Sequence, residues 1–155
     1  MKFLSTGLPL FAAIPLVTGI AIASTKMEAL QKRGFINGLF CCPVADVPGL
    51  TEVNTNLVEQ VGQFIVNEDP GMIIKTDPES CQNVVCAGET EGNIAVKFCN
   101  FQPSFPLSIE AGALVQAIDS IASECGGSGN TCGVLSSELG YTITVAGRQS
   151  LGASC

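Results

Sequence analysis

The sequence lacks histidine and tryptophan, and it holds a single tyrosine, Tyr141. Histidine is the commonest general base in enzymes, so Ser-His-Asp triads, Cys-His pairs and histidine-based ribonuclease sites cannot be built from this chain. The scarcity of tryptophan and tyrosine also leaves few aromatic platforms against which a sugar could stack. These absences exclude many hydrolase mechanisms, and we predict that the chain has no catalytic residues.

An enzyme that uses two carboxylates is the alternative, because two carboxyl groups held at the right separation in a cleft can hydrolyse a glycosidic bond. Acidic side chains in loops are more often solvated surface groups. The acidic pairs in predicted loops are Glu68 with Asp69, Asp77 with Glu79, and Glu89 with Glu91.

Metal-binding patterns are missing as well. Thiolate zinc sites usually show Cys-x-x-Cys pairs or mixed cysteine and histidine ligands, whereas the closest non-adjacent cysteines, Cys81 and Cys86, have four residues between them. The acidic residues do not follow the spacing of a twelve-residue calcium loop. The sequence therefore predicts no metal and no cofactor.

Positive charge is scarce after residue 33. Three basic residues, Lys75, Lys97 and Arg148, stand against thirteen acidic ones, so the segment 34–155 carries a net charge of −10. Nucleic-acid backbones and anionic membrane surfaces repel such a chain. We expect no nucleic-acid partner.

The amino-terminal residues have the features of a secretory signal peptide. Lys2 precedes an apolar segment, Leu8 to Ile22, and the small-x-small pattern that ends at Ala23 is typical of a signal-peptidase site. A transmembrane helix is the alternative, but Pro9 and Pro15 interrupt the apolar run and no basic stop-transfer cluster follows it directly. We therefore predict a signal peptide over 1–23, secretion to the extracellular space, and no stable membrane anchor.

A dibasic pair, Lys32-Arg33, follows in a short polar stretch. This pair resembles a kexin-type processing site of the fungal secretory pathway, and all predicted strands and helices begin after it. We predict a propeptide over 24–33 and a single disulfide-rich domain over 34–155, which is 122 residues long.

All eight cysteines lie downstream of the predicted leader, which indicates four disulfides in a chain bound for an oxidising compartment. The number of possible pairings is 105, so the connectivity stays open. Neighbouring strand residues face opposite sides, and the doublet Cys41-Cys42 should therefore reach two different partners. The predicted half-cystines are Cys41, Cys42, Cys81, Cys86, Cys99, Cys125, Cys132 and Cys155.

Hydrophobic periodicity predicts six elements. A strand covers 35–44, and two extended runs, 81–87 and 93–101, form a hairpin around 88–92. In the second run Ile94, Val96 and Phe98 alternate with Ala95, Lys97 and Cys99, which is the pattern of a half-buried strand. The last strand covers 140–146.

Two amphipathic helices complete the pattern. The first has apolar residues at Leu50, Val53, Leu57, Val61, Phe64 and Ile65. The second is capped by Ser108 and has an apolar stripe of Leu114, Val115, Ile118, Ile121 and Ala122.

The order β-α-β-β-α-β predicts an α+β fold in which an antiparallel four-stranded sheet carries both helices on one face, a split sandwich. A domain of this size is marginally stable without cross-links, and each disulfide contributes roughly 2–4 kcal/mol. The predicted fold is therefore stapled by its disulfides.

The leader, the Lys32-Arg33 site, the eight cysteines beginning with Cys41-Cys42 and the element order together resemble the killer-protein-six-like group of secreted fungal proteins. This group is named for a virus-encoded killer toxin of smut fungi and includes effectors of plant pathogens. The resemblance implies an α/β sandwich and extracellular action as a virulence effector or toxin. Its partner would be a host or competitor protein or a cell-surface component. A structural protein of the cell wall is a further alternative.

Overall fold

The computed structural model describes residues 38–44, 49–87 and 93–153. Ala23, Lys32, Arg33 and Cys155 lie outside these residues, as does the predicted turn over 88–92. The helices are α1 (Thr55–Glu68) and α2 (Ala111–Cys125). The strands are β1 (Gly38–Cys41), β2 (Val53–Asn54), β3 (Ile73–Thr76), β4 (Ser80–Ala87), β5 (Ile94–Asn100), β6 (Leu107–Glu110), β7 (Asn130–Thr131), β8 (Gly133–Ser137) and β9 (Tyr141–Gly147).

The described part of the chain has an α+β fold built on a five-stranded antiparallel sheet in the order β1-β8-β9-β5-β4. Two short antiparallel pairs, β2 with β7 and β3 with β6, flank it. The predicted hairpin is confirmed as β4 and β5, and the predicted last strand as β9. Within the described residues, no helix combines the length and the hydropathy needed to cross a bilayer.

The prediction of four strands in the sheet was wrong, because β8 lies between β1 and β9. Its sequence, GVLSS, has two serines and a glycine, so it lacks the apolar alternation that marks a strand. Contacts with the neighbouring strand stabilise β8 instead, since Leu135 of β8 faces Ile143 of β9.

The two helices share one apolar cluster with one face of the central sheet. The alternating residues Ile94, Val96 and Phe98 of β5, together with Ile143 and Val145 of β9, form one cluster with the buried sides of α1 and α2. Apolar burial on this face is the main source of folding free energy.

The opposite face is covered too, which corrects the prediction of a half-buried strand. Ala95 and Ala146 are fully buried and cluster with Leu151 and Ala153, which belong to the segment that follows β9. The Lys97 ammonium donates a hydrogen bond to the Leu151 carbonyl on this side. The central strands are therefore buried on both faces.

Helix α1 begins at Thr55, later than the periodicity predicted. Asn54 caps it, since its side-chain oxygen accepts a hydrogen bond from the Asn56 amide at 3.0 Å. The buried positions include Val58, Val61 and Ile65, whereas Phe64 is 57% exposed although it was predicted to be apolar core.

Helix α2 begins at Ala111, and Ser108 is not its cap. Ser108 lies in β6 opposite Lys75 of β3, and the helix has no side-chain capping hydrogen bond. Residues 107–110 pair with β3 as a strand, which buries Ile74 and Ile109, and Ser108 therefore does not cap the helix. Leu114, Ile118, Ile121 and Ala122 are buried as predicted, and Val115 is half-buried.

Three disulfides join described residues. Cys41 binds Cys125 at the end of α2, and Cys42 binds Cys132, with Cα separations of 5.2 and 5.5 Å. The prediction that the doublet reaches two different partners is confirmed. Cys81 binds Cys99 across β4 and β5 with a Cα separation of 4.0 Å. Cys86 is disulfide-bonded as well.

Candidate binding surface

Three connections meet at one end of the central sheet: 77–79, 101–106 and 138–140. The Phe101 amide donates to the Gly140 carbonyl at 2.8 Å, and the Glu79 amide donates to the Gln102 carbonyl at 3.2 Å. We call these three segments the sheet-end surface. Main-chain hydrogen bonds between them make it one structural unit.

A buried asparagine fixes the shape of this surface. Asn100 is fully buried, and its side-chain amide donates to the carbonyls of Thr76 at 3.1 Å and Phe105 at 3.0 Å. Its side-chain oxygen accepts from the Gln102 amide at 2.8 Å. Both donors and the acceptor of the side chain are satisfied, so Asn100 ties β3 to the loop 101–106.

A second amide side chain extends this network to the turn before β9. The Gln102 side chain donates to the Leu139 carbonyl at 2.8 Å. Gly140 has φ +84°, and a Cβ there would lie 2.5 Å from the Gln102 side-chain nitrogen. Glycine is therefore required here by its left-handed backbone and by the close approach of Gln102.

Two large apolar side chains project from this fixed backbone into solvent. Phe105 is 48% exposed and Leu139 is 64% exposed. The acidic residues Asp77, Glu79 and Glu138 of the same surface are exposed as well. The surface thus combines an exposed aromatic residue, a type enriched at protein interfaces, with negative charge around it.

Comparison of the chain with protein-family models, with curated proteins and with solved structures finds no match. The resemblance to the killer-protein-six-like group therefore stays a prediction from processing signals, cysteines and element order.

The predicted carboxylate pairs occupy two turns among the described residues. Glu68 is the last residue of α1, and the Asp69 carboxylate accepts a hydrogen bond from the Gly71 amide at 3.1 Å, which is a turn-stabilising role. Asp77 and Glu79 belong to the sheet-end surface, and Glu89 and Glu91 lie outside the described residues. In the described ranges, no group of three or more cysteine, aspartate or glutamate side chains is arranged to hold a metal ion.

Lys97 has an altered acidity, although it lies outside the sheet-end surface. Burial beneath the segment that follows β9 lowers the pKa of its ammonium group. The Leu151 carbonyl that it contacts belongs to the packing of the second sheet face, so Lys97 serves the fold there.

Sequence reasoning did not find Phe105, Leu139, Asn100 or Gln102. A weak signal was present, because Phe105 stands between Pro103 and Pro106 in a predicted break, where a buried aromatic is unusual. The Asn100 side chain binds two nearby groups, the Gln102 amide and the Phe105 carbonyl, but its third partner, the Thr76 carbonyl, lies 24 residues away, so the sequence does not show that the side chain turns inward.

Proposed function

We propose that this chain is a secreted fungal effector or killer-toxin-like protein that acts outside the cell by binding a host or competitor target, without catalysis. The observation that carries the proposal is the exposure of Phe105 and Leu139 on backbone that Asn100 and Gln102 hold in place. Binding loses less entropy when the contact residues are ordered beforehand. Aromatic side chains such as that of Phe105 are enriched at protein interfaces.

The cross-links support secretion. Disulfides persist in oxidising compartments, and three of them join described residues while Cys86 belongs to a further one. Together with the signal sequence over 1–23 and the Lys32-Arg33 site, they favour export, processing to 34–155 and action outside the cell. We also propose that the finer arrangement is a split sandwich of the killer-protein type.

A cell-binding assay tests the proposed surface. The protein, purified from culture medium and fluorescently labelled, would be titrated onto living host and competitor cells. The double variant Phe105→Ser/Leu139→Ser should bind at least about tenfold more weakly, which corresponds to about 1.4 kcal/mol. Ile73→Ser is the matched control, because Ile73 is 54% exposed but lies at the far end of β3, opposite Glu110. Equal binding by the double variant and the control would contradict the proposal.

Single carboxylate variants separate binding from catalysis. Asp77→Asn and Glu79→Gln should each weaken target binding or activity by a small factor, because an exposed charge at an interface rim contributes little. A hydrolase would instead lose nearly all activity when one of its two carboxylates is changed. Near-complete loss in either single variant would therefore favour the enzyme, and retention of most of the product in the wall fraction would favour a structural protein.

A further inference from the structure

A second surface, separate from the sheet-end surface, lies between the two helices. The helices run antiparallel, since Thr55 at the start of α1 is near Gly126 after α2, and Gly62 is near Val115 and Asp119. A groove of about 640 Å³ opens between them. We call it the helix groove, and the residues that line it are Glu59, Gly62, Gln63, Val66, Asn67, Val115, Asp119, Ala122 and Ser123.

Small residues line the helix groove where the two helices approach each other. Gly62 has no side chain, and a Cβ at this position would lie 3.4 Å from both the Asp119 carboxylate and a Val115 methyl group. Ala122 is buried close to the groove floor. The apolar sides of α1 and α2 are turned toward the sheet, so the groove is formed by the outer flanks of the helices.

All ionisable side chains of the helix groove are acidic. Its ionisable residues are Glu59 on α1 and Asp119 on α2, both exposed, and none of the lining residues is basic. The basic residues among those described lie elsewhere: Lys75 on β3, Lys97 on β5 and Arg148 after β9. Val66 and Val115 add apolar contact area to the groove, and Gln63 and Asn67 add side-chain amides.

We propose that the helix groove binds a lysine- or arginine-bearing amphipathic helix of a partner protein. The cationic side chains of that helix would pair with Glu59 and Asp119, and its apolar residues would pack on Val66 and Val115. The α1 side of the groove runs from Glu59 to Asn67, a rise of about 12 Å, which accommodates roughly two turns of a bound helix. Helix-in-groove recognition uses apolar residues at this spacing. The inference does not depend on the sheet-end surface, so either proposal can fail alone.

A designed peptide tests this proposal directly. The probe is a 14-residue helical peptide with a stripe of leucines flanked on both sides by lysines, and its control has glutamate in place of every lysine. Both would be titrated into the ¹⁵N-labelled, fully oxidised protein. The lysine peptide should give saturable chemical-shift changes centred on Glu59, Gln63 and Asp119 that weaken as salt is added, and the glutamate peptide should give none. Shifts centred elsewhere, or no saturation, would overturn the proposal.

Matched charge variants separate the groove from general attraction to an acidic protein. Glu59→Gln/Asp119→Asn should weaken the binding of the lysine peptide about fivefold, the effect of two exposed ion pairs. Asp77→Asn/Glu79→Gln removes the same charge from the sheet-end surface and should leave the affinity within about twofold. All four residues are exposed, so both variants should fold. Equal weakening by the two double variants would show that net charge, and not the groove, attracts the peptide.

Discussion

The fully buried side chain of Asn100 stabilises the backbone at the sheet end more than any exposed residue there does. It binds three backbone groups from β3 and the loop 101–106. Asn100→Asp keeps the shape but turns the two donors into a charge that faces the Thr76 and Phe105 carbonyls. We expect a loss of at least about 3 kcal/mol in the free energy of unfolding at neutral pH.

Burial would raise the pKa of this introduced carboxyl above that of an unfolded aspartate, so the loss should shrink as the pH falls and the group takes up a proton. Denaturant unfolding at about pH 7 and pH 4 measures both effects. Asn83→Asp, at an exposed position on β4, is the control and should cost less than about 0.5 kcal/mol. Equal losses in the two variants would contradict the role of Asn100.

Lys97 provides a pH-dependent test of the covered second face. Because burial lowers its pKa below the ordinary 10.5, the unfolded state binds more protons than the folded state between these two values. The contribution of Lys97 to the free energy of unfolding should therefore rise with pH across that window. Wild type should gain stability relative to Lys97→Met as the pH rises toward 10.5, measured by denaturant unfolding. Parallel curves of the free energy of unfolding against pH for wild type and Lys97→Met would refute the burial of Lys97.

At the scale of elements, the packing of α1 on α2 can be tested at Gly62. A glycine inside a helix costs about 1 kcal/mol relative to alanine, and a separation of 3.4 Å from Asp119 and Val115 is ordinary contact for an added Cβ. We expect Gly62→Ala to raise the free energy of unfolding by about 0.5–1 kcal/mol, measured by thermal and denaturant unfolding. Gly140→Ala is the opposite case, since its φ is +84° and the Gln102 side chain would have to move. It should destabilise by about 1–2 kcal/mol.

Elements with strong periodicity were predictable from the sequence, and those decided by distant contacts were not. The alternation in β5 and β9 and the stripe of α2 are local signals. In α1 apolar residues cover about half of the circumference, so the sequence could not decide whether Val58 or Phe64 faces the core. The position of α2 decides it. The same holds for β6 and β8, because each is a strand through its pairing with a remote segment.

At the scale of the whole molecule, two of the cross-links hold the edge of the central sheet at β1. Cys41 joins the edge strand β1 to the end of α2, and Cys42 joins it to the chain just before β8. The use of the seven described cysteines in disulfides was predictable from the sequence. Their pairing was not, because it depends on which strands become neighbours.

The fourth disulfide can be predicted by elimination. Six of the eight cysteines pair among the described residues, Cys86 is disulfide-bonded, and the sequence has one further cysteine, Cys155. Cys86 also packs against the cluster that contains Ala153. We therefore expect a Cys86–Cys155 bridge that ties down the chain end covering the second sheet face. Its removal by Cys86→Ser/Cys155→Ser should lower the free energy of unfolding by about 4 kcal/mol, as expected for a long closed loop.

Peptide mapping without reduction checks this bridge. Trypsin can cleave after Lys75, Lys97 and Arg148, so the segment 149–155 should stay covalently attached to 76–97 and be released when the digest is reduced. Fragmentation between Cys81 and Cys86 assigns the link to one of the two, and the Cys81–Cys99 bridge serves as the internal control. A free 149–155 peptide in the unreduced digest would refute the bridge. The segment that follows β9 would then be held over Ala95 and Ala146 only by the packing of Leu151 and Ala153 and by the hydrogen bond from Lys97.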